Sequence, residues 1–173
     1  LAEAMRRLAL VVVSMALVTG VSAAAGVAAR PLSHWLSWSA NRHSARLLLV
    51  AGYDSTNNGF NFDGYARGRL LFRVPRGWRV TILCKNAGSR NHSCAVVHGA
   101  GATRLAFRGA AIPDPVRGIP PGKAASFTFV PSRVGVYRLV CLVPGHELAR
   151  EYDVLKVVAS GRPGVTMLSS IPG

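Results

Sequence analysis

The segment Cys141-Leu142-Val143-Pro144-Gly145-His146, entered by the alternating run Gly135-Val136-Tyr137-Arg138-Leu139-Val140, calls for a strand that ends in a tight turn. Alternation puts Tyr137, Leu139 and Cys141 on one face and Arg138 on the other, so the thiol points inward. A lone inward cysteine is ordinarily a packing residue. Here the Pro-Gly turn brings an imidazole back within reach of the sulfur, so thiolate and imidazole can face one metal ion. The third candidate ligand is His92 in Asn91-His92-Ser93, just after the strand-like Val80-Thr81-Ile82-Leu83-Cys84 and a loop containing Asn86. One cysteine and two histidines in a near-trigonal array, completed by a weak axial group, suit copper.

Around these residues the rest of the pattern is short strands and turns. Strand character runs over 46–51, 68–74, 78–84, 94–98, 125–130, 134–141 and 152–158, divided by clusters such as Asp54-Ser55-Thr56-Asn57-Asn58-Gly59, Pro75-Arg76-Gly77 and Pro120-Pro121-Gly122. Seven such strands predict an all-β sandwich. Ser93 is expected to clamp the backbone beside Cys141 through its hydroxyl. His98 lies beyond a further strand, and His34 and His43 precede the first, so these three are read as structural or solvated. Asn91-His92-Ser93 also matches a glycosylation acceptor, but a glycan there would obstruct the site.

The chain begins with a different kind of segment. Met5-Arg6-Arg7 is basic and Leu8 to Ala29 carries no charge, which predicts a signal peptide or membrane anchor over 1–29. Its polarity places the remainder outside the cytoplasm. A spacer follows over 30–45, with Trp35 and Trp38 suited to a membrane interface; the folded domain is expected over 46–160 and a tail over 161–173. In the exported part Cys84 and Cys94 remain once Cys141 is assigned, and they are either a disulfide or two buried thiols.

Formal charge is +14, from 21 Lys and Arg against 7 Asp and Glu. Arg67, Arg69, Arg73, Arg76 and Arg79 alternate with apolar residues, as solvent-facing strand positions do. Such a surface favours acidic proteins or anionic lipid head groups. Nucleic acid is not expected, because no recognition motif accompanies the charge.

Together, Asn61-Phe62-Asp63-Gly64-Tyr65, Val74-Pro75-Arg76-Gly77-Trp78, Asn86, His92-Ser93, Phe107-Arg108-Gly109-Ala110, Gly118-Ile119, Gly135-Val136-Tyr137 and the Cys141 to His146 segment resemble the cupredoxins, and within them the sulfocyanin family. The resemblance covers about Leu48 to Val158. It implies a Greek-key β-sandwich with one type 1 copper held by His92, Cys141 and His146, carrying single electrons to or from membrane respiratory complexes. The family pattern has Gly, Met and an aromatic at the positions that read Arg150, Glu151 and Tyr152 here, which places Glu151 at the axial position. Leu142 stands where the family tends to have Gly.

Three functions fit these residues. The first is an electron carrier that exchanges electrons through an exposed His146 edge with a redox partner bearing an acidic docking surface. The second is a copper- or zinc-binding protein without redox duty, in which Glu151 makes a harder four-ligand site. The third is an interaction domain of the same fold without metal. An enzyme is not expected, since the loop holds one cysteine rather than the pair of a dinuclear centre and no second histidine cluster serves oxygen chemistry.

Overall fold

The computed structural model describes residues 31–169. The expected leader, 1–29, lies outside them. Among the described residues no helix is long and apolar enough to cross a membrane.

Nine strands form two sheets. The first orders β1 (Leu36–Ser39), β2 (Ser44–Ala51), β4 (Arg79–Asn86) and β6 (Ala124–Phe129) side by side. The second holds β3 (Leu70–Pro75), β5 (Ala95–Val97), β7 (Gly135–Val140), β8 (Tyr152–Val158) and β9 (Gly164–Met167) in the order β5-β7-β8-β3-β9. Both sheets mix directions: β2 pairs parallel with β4, and β3 parallel with β8, while the other pairs are antiparallel. Inward residues from both sheets, among them Leu49, Phe72, Ile82, Leu139 and Leu155, are fully buried between them. This is the expected all-β sandwich.

The seven expected strands are all present, with ends shifted by a residue or two. Strands β1 and β9 were not expected. The former lies in the segment read as spacer and pairs Leu36 with Leu47; the latter lies in the segment read as tail and pairs Thr166 with Leu71. Both are edge strands, and most of their residues are exposed or half-buried, so neither writes a clear apolar alternation into the sequence. Trp35, expected at a membrane interface, instead belongs to the core at 2 % exposure and stands edge-on to Tyr53.

Register defines two poles. Parallel pairing of Ser44 with Arg79 through Ala51 with Asn86 brings the ends of β2 and β4 together. In the second sheet Val140 meets Tyr152 at one end, and Gly135 meets Val157 at the other. Ala51, Asn86, Val140 and Tyr152 thus lead into the loops of one pole. The turns at 40–43, 76–78, 130–134 and 159–163 form the opposite pole, where the Gly77 N–H donates to the Pro131 carbonyl and the Arg76 N–H to that of Val158.

The two sheets are also joined covalently. Cys84 of β4 and Cys94, at the entry to β5, form a buried disulfide with Cα atoms 5.9 Å apart. That resolves the two alternatives open in the sequence.

Candidate metal centre

Cys141 leaves β7 at the first pole, and the turn Pro144-Gly145 carries the chain back so that His146 faces the sulfur. Gly145 takes φ 87°, a left-handed conformation suited to glycine, and the His146 N–H donates to the Val143 carbonyl. Glu147 fixes this turn from outside: its Oε1 accepts from Arg138 at 2.8 Å and from the Gly101 N–H at 3.0 Å.

His92 arrives from the opposite sheet side, and its segment is held by Asn86. The Asn86 amide donates to the carbonyls of Arg90 (2.6 Å) and Ile119 (2.8 Å), and its oxygen accepts from Gly88 N–H at 2.9 Å. Glycines make the close approach possible. A Cβ on Gly118 would lie 2.7 Å from the His92 carbonyl oxygen, and one on Gly88 would lie 3.0 Å from His92 Nε2. The outer side of the ring is therefore packed against backbone, leaving Nδ1 to face inward.

Inward, four donors meet. One ligand atom from each of His92, Cys141, His146 and Glu151 lies within 4.8 Å of the others, and all four residues are buried. His92 Nδ1 is 2.7 Å from Glu151 Oε1, His146 Nδ1 is 2.8 Å from Oε2, and Cys141 Sγ is 3.3 Å from His146 Nδ1. Ser93 acts on the sulfur as well as on the backbone. Its N–H donates to Sγ at 3.2 Å, and its hydroxyl lies 3.6 Å from Sγ and accepts from the Leu142 N–H at 2.8 Å. His34, His43 and His98 are not in the group.

Glu151 enters the cluster by way of a strained residue. Arg150 has φ 70°, a left-handed conformation that costs a residue with a Cβ about 1 kcal/mol or more. Its carbonyl accepts from both Arg67 and Tyr152 N–H groups, and the Glu151 N–H donates to His146. Arginine holds this conformation at the position where the resemblance implies glycine. Glu151 is fully buried and, among the described residues, pairs with neither Arg150 nor any other guanidinium.

The electrostatics fit a cation. Burial, with the Glu151 charge adding to it, pushes the Cys141 thiol up to about 12 against the opposing hydrogen bonds from Ser93. A buried carboxylate whose only partners are two imidazoles, beside a buried sulfur, is a set of donors that lacks a fixed positive charge. One thiolate, two imidazoles and one carboxylate fit one mononuclear copper ion.

The expectation of an exposed His146 edge is not met. The residue is 7 % exposed, because Phe60 covers its ring edge-on with centroids 4.9 Å apart. Sequence reasoning missed Phe60, which lies in a loop far from His146 in the chain and carries no motif. It also missed Gly88, whose role rests on an approach between loops.

Residues 32–162 match the model of the Sulfocyanin (SoxE) domain. Sulfocyanin of Sulfolobus acidocaldarius is 27 % identical over 130 residues, which span 68 % of this chain and 65 % of that protein, just under two thirds of its length. Among solved structures, dithionite-reduced auracyanin from Roseiflexus castenholzii aligns with a TM-score of 0.49 at 20 % identity, over 65 % of this chain and 96 % of its own. Auracyanin A from Chloroflexus aurantiacus, described as a "blue" copper protein, aligns with a TM-score of 0.48 at 18 % identity, over 66 % of this chain and 99 % of its own. With the family's domain matched across the sandwich and the buried donor cluster at one pole of it, the chain belongs to the sulfocyanin domain family.

Proposed function

We propose that this chain is an extracytoplasmic type 1 copper electron-transfer protein, sulfocyanin-like, with Glu151 in place of the axial methionine. The observation that carries the reading is the convergence of four buried donors within 4.8 Å on a rigid β-sandwich. Copper bound there supplies a one-electron couple. His92, Cys141 and His146 provide the strong donors. Gly88 and Asn86 hold His92 from behind, Ser93 donates toward the sulfur, and the Glu147 contacts hold the His146 turn. A site braced on every side changes little between oxidation states, which lowers the rearrangement needed for electron exchange. No substrate turnover is required.

The partner is a second redox protein, in our reading a membrane respiratory component with an acidic docking surface, since the chain's excess of arginine favours association with negative charge. A second reading rests on Glu151, whose two oxygens contact both imidazoles. That arrangement makes a harder four-ligand site able to hold copper or zinc without redox duty.

Loading the protein with Cu(II) and measuring metal content together with the visible spectrum tests both. One copper per chain with intense visible absorption supports the electron carrier, because only a Cu(II)-thiolate bond gives that colour. A colourless protein that retains zinc in preference would replace the first reading by the second, and failure to retain either metal would end both.

A further inference from the structure

The pole opposite the donor cluster carries a charge distribution that electron transfer at the metal pole does not explain. Arg42, Arg76, Arg79, Arg133 and Arg162 stand on or beside its four turns, all exposed. The described carboxylates lie elsewhere. Asp54, Asp114, Glu147 and Glu151 belong to loops of the metal pole, and Asp63 and Asp153 are buried near it. The ion pairs among the described residues are those of Glu147 and Glu151, so none of these five guanidiniums is neutralised there.

Aromatic side chains are interleaved with this charge. Trp38, 41 % exposed, lies 6.3 Å from the half-buried Trp78, with the Arg162 guanidinium 5.7 Å from the Trp38 ring and His43 at 5.5 Å from Trp78. Two valines of the adjoining turn, Val130 and Val134, are 50 % and 52 % exposed. Beside them Arg42, Arg46 and Arg79 line a groove of about 430 Å³ together with the hydroxyls of Ser37, Ser39, Ser44 and Thr81. Guanidinium and hydroxyl donors match phosphate oxygens, and indole rings at the same level match the boundary between head groups and acyl chains. A soluble acidic protein offers the first kind of contact. A lipid surface offers both.

We infer that this pole is a docking surface for anionic phospholipid, holding the domain against a membrane with the donor cluster turned away from it. The inference does not depend on which metal the other pole holds. Lipid phosphates pair with the arginines, Trp38 and Trp78 sit at the interface, and the metal pole is left free for a protein partner. Each arginine near an anionic surface strengthens binding about fivefold.

The chain's three tryptophans make the test direct, since Trp35 is buried and Trp38 and Trp78 both report on this pole. The full chain is mixed with vesicles of brominated phosphatidylcholine, with or without phosphatidylglycerol, and tryptophan quenching is recorded. The apolar contribution of residues 1–30 is common to both lipids, and the charge of Arg6, Arg7 and Arg30 is common to the unmodified chain and its variants. Quenching is expected to be several-fold greater with phosphatidylglycerol and to fall to the phosphatidylcholine level at high salt. The triple variant Arg42→Gln, Arg79→Gln, Arg162→Gln should need on the order of a hundredfold more anionic lipid for the same quenching, whereas Arg90→Gln with Arg117→Gln, at the metal pole, should not. Equal quenching in the two lipids overturns the inference, as does an equal loss in the metal-pole variant. Displacement from anionic vesicles by soluble polyaspartate at matched charge would make the partner a protein and overturn it too. The lipid comparison uses the unmodified chain, so equal quenching overturns the inference even if a variant fails to fold, and Arg42, Arg79 and Arg162 can each be replaced singly, with about a fivefold loss expected, if the triple variant does not fold.

Discussion

The Phe60 ring stands edge-on to the His146 imidazole, the planes 85° apart, while the Arg90 guanidinium lies over Phe60 at 4.8 Å from its centroid. The histidine at the mouth of the cluster therefore meets carbon, and a cation sits on the carbon. Apolar cover of this kind sets the local dielectric, and with it the balance between oxidation states. With Cys141 and Glu151 both bound as anions, a Cu(II) centre would be neutral and a Cu(I) centre would carry one negative charge, so Phe60→Ala is expected to raise the reduction potential of the copper-loaded protein, because water then reaches the imidazole and stabilises the charged, reduced form. Phe60→Leu should keep most of the wild-type value. Voltammetry of the three proteins checks the order, and an alanine variant at or below the wild-type potential would show that the ring does not shield the site.

A second prediction concerns acid stability. Asp63 Oδ1 accepts from the Val50 N–H at 2.7 Å, but its buried Oδ2 has no partner, and burial holds the carboxyl well above the ordinary value of 3.8. Asp153 is displaced in the same direction, by burial first and then by the charge of Asp63. Below 3.8 folded and unfolded chains both hold the proton. Above it the unfolded chain releases a proton that the folded chain keeps, so stability falls as pH rises toward the raised value, by at most about 1.4 kcal/mol per unit for each group. The urea midpoint should accordingly be higher at mildly acidic than at neutral pH. Asp63→Asn, which keeps an oxygen for Val50, should flatten that slope; an unchanged slope would exclude Asp63 as its source.

What was legible in the sequence is what repeats or turns. The inward parity of Cys141 followed from strict alternation through β7, and the reach of His146 from a Pro-Gly turn of fixed length. Ser93 was legible because it adjoins His92. The disulfide was open, since pairing Cys84 with Cys94 depends on how far apart two sheets stand, which no local pattern records. Edge strands β1 and β9 were hidden for the reason that they bury little. Phe60 and Gly88 were out of reach, because each acts through a contact between loops distant in the chain.

Glu151 stands where the family pattern has methionine, and its carboxylate touches both imidazoles. Among the described residues it is fully buried with no guanidinium paired to it. A hard anionic donor stabilises Cu(II) over Cu(I) more than a thioether does. For one electron, each tenfold change in that preference is about 59 mV. Glu151→Met should therefore raise the potential by at least about 60 mV, and the neutral Glu151→Gln should raise it in the same direction while nearly preserving the side chain's shape. If both variants keep the wild-type potential, Glu151 is not in the coordination shell, and its contacts with His92 and His146 serve only to orient the two rings.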